Sequence, residues 1–208
     1  MSGVRRGTLG AVAVAAPQGA SALAYAAVWI APTSFPSDFA RILMLGMVVE
    51  FLLVHSFPFL FVVGAGERHE VGRWRRSLAV AAIGMFYLTF AAALAKVFAS
   101  SAPLWTFGWL IASRVATIWI GSHSRVSEID GQIGGWGRSA ALYIGGLIAT
   151  AIVPLPRLGL TPEAAAALAL PGSGTWIEAP QKLFAFGLIY FGAAAYFAAR
   201  TAARSERS

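Results

Sequence analysis

The chain has 208 residues, of which 58% are hydrophobic and 12% charged, and it carries a net charge of +7. Soluble domains hold about twice that charged fraction, so a water-soluble globular fold is excluded and a polytopic membrane protein is indicated. With no cysteine, disulfides, thiolate metal ligands and a cysteine nucleophile are excluded as well.

The positive charge does not point to nucleic acid, because the arginines cluster in short segments between apolar runs, the pattern that orients membrane helices. The length allows one domain of about six spans of roughly 20 residues each. The first covers residues 9–30, behind Arg5 and Arg6, and is interrupted at Pro17-Gln18-Gly19. The same stretch also fits a cleaved signal peptide, with Ala22-Leu23-Ala24 as a small-residue cleavage pattern. A Pro/Ser link at 32–38 leads to a second span at 41–64, and the basic loop 67–76 to a third at 77–97. The fourth, 104–121, carries Trp105, Trp109 and Trp119 near its ends, as interfacial belts do. Residues 122–138 are polar and glycine-rich and read as a flexible loop. The fifth span is 139–155 and the sixth 182–200. Between them Thr161-Pro162-Glu163 has the signature of a helix start, with an N-cap hydroxyl, proline in the first turn and an acid at the positive helix end. It predicts a short outer helix over 162–170.

Six spans place both termini on one side, together with the arginine-rich segments 67–76 and 122–138. The opposite loops hold the mixed set Asp38, Arg41, Lys96, Arg157, Glu163, Glu178 and Lys182. The expectation is an all-α bundle in the inner (plasma) membrane of a cell, both ends cytoplasmic. The bilayer is its one certain surrounding; copies of itself or other membrane subunits are the further partners to consider. The two halves share no motif, so an inverted-repeat transporter plan gains no support.

Within the second span the run EFLLVHSFP places Glu50, His55 and Pro58 in apolar surroundings. A charge at mid-bilayer costs roughly 2.5–3.5 kcal/mol on insertion scales. Arg114 in the fourth span has a similar depth of about 15 Å, counted at 1.5 Å per residue. A Glu50–Arg114 ion pair is the simplest arrangement, serving either to lock two helices or to line a polar path. His55 follows Glu50 by five residues, which turns the side chains about 140° apart on a regular helix. Pro58 has no N–H for the Val54 carbonyl, so a kink is expected there. A π turn over 51–56 would bring Glu50 and His55 onto one face. In that case carboxylate, imidazole and guanidinium form a relay able to move or sense protons. Otherwise His55 is a core histidine bonded to a carbonyl or to Ser56, Tyr87 or Thr89.

No cofactor is predicted. His69 and His123 fall at other depths than His55, so no bis-histidine haem pair and no zinc ligand set emerges. The catalytic motifs of metalloproteases, rhomboid-type serine proteases and dinucleotide-binding enzymes are missing, and an enzyme is not the expectation. Gly145-Gly146, Gly187 and Gly192 suit close helix packing. Two functions follow. One is translocation of a small solute, ion or proton past Glu50, His55 and Arg114. The other is a non-catalytic subunit or assembly factor whose buried charges serve helix packing or meet partner helices. In its abundance of alanine and its use of arginine over lysine the chain resembles small bacterial inner-membrane proteins, a likeness of composition alone.

Overall fold

The computed structural model describes residues 2–65, 72–120 and 126–205; the side chains of 2–11, 61–65, 114, 117, 120, 126–132, 204 and 205 lie outside the description. Every regular element among the described residues is helical. In chain order they are α1 (Ser2–Ile30), a 3-10 turn (Pro32–Ser34), α2 (Ser37–Ala65), α3 (Arg73–Val97), α4 (Ala102–Ile120), α5 (Val126–Ile152), α6 (Pro162–Ala167), α7 (Thr175–Glu178) and α8 (Pro180–Ser205). Four stretches are long and apolar enough to cross a membrane, namely Val12–Ile30, Ser37–Leu60, Arg73–Val97 and Pro180–Ala203. Two compact units form, one from Met1–Met44 with Ala141–Ser208 and one from Leu45–Ala140.

The first unit is built on α1 packed along α8. Its centre is Tyr25, 1% exposed. The ring stacks on Phe191 at 5.6 Å and tilts against Phe184 at 6.4 Å, while its hydroxyl donates to the Leu43 carbonyl at 2.5 Å. The α8 backbone comes this close because Gly187 has no side chain; a Cβ there would collide with the Tyr25 ring. Gly146 plays the same part for α5, since a Cβ would lie 2.9 Å from Phe186. Gly145 and Gly192 have nothing within 4 Å of such a Cβ, so two of the four glycines expected at close contacts make them.

The connection from α5 to α8 is tied by backbone acceptors. The Trp29 indole donates to the Pro156 carbonyl at 3.0 Å, and the Gly159 N–H to the Trp29 carbonyl at 3.2 Å. Lys182 reaches the Ala151 carbonyl at 2.8 Å, putting a cation at the negative end of α5. At α6 the Thr161 hydroxyl accepts from the Ala164 N–H at 3.2 Å, closing an N-cap. The Glu163 carboxyl is held below the ordinary carboxylate range by its own backbone N–H and by the Thr161 hydroxyl.

In the second unit α3 packs on α4. Leu52, Tyr87, Ala91 and Phe107 form one buried cluster and Leu60, Val80 and Ile118 another. Gly84 admits the Ile111 side chain, whose atoms would stand 2.6 Å from a Cβ. Two segments expected as loops are helical. Arg73 to Arg76 belong to α3, and Arg76 is only 7% exposed. It is not without a partner there, as a charge entering a packed helix requires. Beside it the Trp119 indole donates to the Ser77 hydroxyl at 3.0 Å, and Trp74 meets the Trp119 ring edge-on. The second segment is the glycine-rich stretch 122–138, which is α-helical from Val126 onward. Four glycines weaken a helix by about 1 kcal/mol each relative to alanine, yet Trp136 anchors it through the Val54 carbonyl and the Phe57 ring.

A candidate polar site on α2

α2 is α-helical without a break from Ser37 to Ala65, with Pro58 inside it. The π turn expected over 51–56 does not form. The reason is visible at the carbonyl that Pro58 leaves without its normal donor. Val54 accepts instead from the Trp136 indole N–H at 2.7 Å, and the Trp136 ring stacks on Phe57 at 6.5 Å and 10°. A side-chain donor satisfies the orphan acceptor, so no shift of backbone hydrogen bonds is needed.

Because the helix stays regular, Glu50 and His55 are not brought together. Successive residues turn about 100°, and five of them leave the two side chains on diverging faces. Glu50 is partly buried within the apolar stretch Ser37–Leu60 and is not without a partner. The expected ion pair with Arg114 lies outside the described residues, since the Arg114 side chain is not described. His69 and His123 lie outside them as well.

His55 faces outward from the second unit. Its ring stacks on Phe51 at 5.7 Å and 8°, and meets Phe59 and Tyr87 edge-on at 5.7 and 6.1 Å. Phe51 and Phe59 sit one turn before and after it, as the i, i+4 spacing requires. Among the described residues the imidazole has no hydrogen-bond partner. The hydroxyls expected to serve it are engaged elsewhere: Ser56 donates to the Leu53 carbonyl at 3.3 Å and Thr89 to the Phe86 carbonyl at 2.6 Å. Tyr87 approaches through its ring edge.

Two polar groups escaped the reading of the sequence. Trp136 was placed in a loop, although the acceptor stranded by Pro58 called for a donor on a neighbouring helix. Among the described residues the Gln18 amide oxygen, beside Pro17 in α1, is buried without a partner. A glutamine inside an apolar run was its only signal. Among the described residues no three histidine, aspartate or glutamate side chains are grouped to hold a metal ion.

Helices of this length and apolarity mark the chain as a multi-pass helical membrane protein. No family model, curated protein or solved structure matches it.

Proposed function

We propose that the chain crosses the cell inner membrane six times, with both termini cytoplasmic, and translocates a small solute, ion or proton past Glu50. On this reading α4 and α5 supply the two spans beyond the four helices whose apolar length stands by itself. The arginine-rich segments 67–76 and 122–138 then share the cytoplasmic side with the ends of the chain. The observation that carries the reading is Glu50: an ionisable group kept in the middle of an apolar helix, partly buried and partnered. Such groups are expensive in a membrane and mark ion and proton pathways. Arg114 is its proposed counter-charge. His55 belongs to a different face of α2, so it does not act in series with Glu50 through this helix alone.

The test is proton uptake into proteoliposomes loaded with a pH-sensitive dye, using Glu50→Gln, Arg114→Met and the double variant. Loss of one partner is expected to slow flux about tenfold, equivalent to about 1.4 kcal/mol in the barrier. The double variant should lose less than the sum of the two. Flux that survives intact in the double variant would assign the pair to helix packing.

The second reading, a non-catalytic subunit of a membrane complex, is favoured by His55. An outward imidazole in an apolar helix, framed by rings and without a hydrogen-bond partner, is suited to a polar group on a neighbouring helix. If so, His55→Leu changes the assembly of the protein and leaves proton flux through the isolated chain unaltered.

A further inference from the structure

The connection between α5 and α8 encloses a cleft of about 390 Å³ in the first unit, lined among others by Arg157, Leu160, Ile177, Glu178, Pro180 and Gln181. This is within the size range of small-ligand pockets. Its lining mixes polar and apolar groups, and Leu160 among them is only 1% exposed. Three polar residues line the space, and they differ in kind: a guanidinium, a carboxylate and an amide. Gln181 is the informative one. It is 9% exposed, so more than nine-tenths of it is covered, yet among the described residues its amide has no hydrogen-bond partner. Neither amide atom is among the buried ones cut off from solvent, so the hydrogen-bonding capacity of this largely covered side chain stays open to a ligand. The cleft is the space left for it to face.

Arg157 and Glu178 are equally uncommitted. Neither has an ion-pair or side-chain hydrogen-bond partner among the described residues, and no ion pair joins them to each other. The nearby cations do not compete for Glu178: Lys182 is spent on the Ala151 carbonyl and Arg41 on Asp38 and the Ala169 carbonyl. One small space is thus lined by a cation and an anion, each without an ion-pair partner among the described residues, and by a largely covered glutamine.

We propose that this cleft binds a small zwitterion, its anionic group on Arg157, its ammonium on Glu178, and Gln181 completing the hydrogen bonds of either end. Charge-assisted hydrogen bonds of this kind are the strong ones, and a planar guanidinium suits a carboxylate or phosphate. A free amino acid with an apolar side chain has this chemistry, and so does an ethanolamine phosphate head group of a membrane lipid. Capture at the cleft does not depend on flux past Glu50.

The experiment is calorimetric titration of the full detergent-solubilised chain with L-leucine and, separately, with phosphoethanolamine. Saturable binding of at least one is expected, weakened about tenfold or more by Arg157→Gln and by Glu178→Gln. N-acetyl-leucine, which lacks the ammonium, and leucinamide, which lacks the carboxylate, should bind no better than those variants do. Both replaced side chains are exposed, and unchanged thermal unfolding will confirm that the variants are folded. Nanodiscs separate the sources. Loss of the titration in phosphatidylethanolamine but not in phosphatidylcholine assigns the site to a lipid head group, and binding equal in both assigns it to a free solute. The proposal is overturned if neither zwitterion saturates, if the singly charged analogues bind as well, or if both substitutions leave the affinity unchanged.

Discussion

Trp136→Phe is expected to destabilise the protein by about 1–3 kcal/mol, the usual cost of stranding a buried backbone acceptor. The phenylalanine keeps a ring for Phe57 to stack on, so the change isolates the indole N–H that the Val54 carbonyl accepts at 2.7 Å. That carbonyl depends on tryptophan only because Pro58, four residues on, has no N–H to give. Replacing Pro58 by alanine returns the donor. In the Pro58→Ala background the loss of the indole should therefore cost much less, and the two changes should show a coupling energy of about 1 kcal/mol or more. Thermal or denaturant unfolding of the four proteins in one detergent measures it. Equal costs of Trp136→Phe in both backgrounds would show that Val54 has no need of the indole. The sign matters here: if Pro58 served only to weaken α2, the two substitutions would be additive.

The proline and its carbonyl were legible in the sequence, and the donor was not. Pro58 fixes the identity of the stranded acceptor by covalent geometry alone, whereas Trp136 reaches it from a helix far along the chain. That helix was itself obscured. Glycines at 131, 134, 135 and 137 speak for a loop by propensity, a local term of about 1 kcal/mol each that tertiary contacts override. Apolar length was the stronger signal, and it located α2, α3 and α8 because a spanning helix must hide its backbone whatever its neighbours are. Of the candidate site, Glu50 was legible as an expensive residue in an apolar run. The frame around His55 was half legible, since Phe51 and Phe59 follow from helical spacing while Tyr87 comes from α3. Of the cleft at Arg157, Glu178 and Gln181, the sequence offered only the polar entry 176–182 to the last span as a vestibule cap, because the cleft's walls come from segments whose approach no local pattern encodes.

Gly187→Ala is expected to loosen α1 from α8. In an isolated helix this substitution is favourable by about 0.8–1.0 kcal/mol, and at Gly145 or Gly192, where a Cβ meets nothing within 4 Å, that gain should be seen. At Gly187 the methyl collides with the Tyr25 ring. The ring has no room to yield, being stacked on Phe191, tilted against Phe184 and tethered through its hydroxyl to the Leu43 carbonyl. Overpacking costs about 1–3 kcal/mol, and moving Tyr25 would forfeit a hydrogen bond worth about 1 kcal/mol more, so the clash outweighs the helix gain. Between spanning helices the consequence is larger than in water, since lipid offers no hydrophobic penalty for separation and close packing carries the association. The expected result is a lowered unfolding temperature and a smaller yield of a cysteine cross-link placed between α1 and α8. A second change, Tyr25→Leu, should relieve part of the defect in the Gly187→Ala protein while weakening the parent. Unfolding of Gly187→Ala at the parent temperature, with the cross-link unchanged, would mean that Tyr25 does not occupy the space the missing side chain leaves.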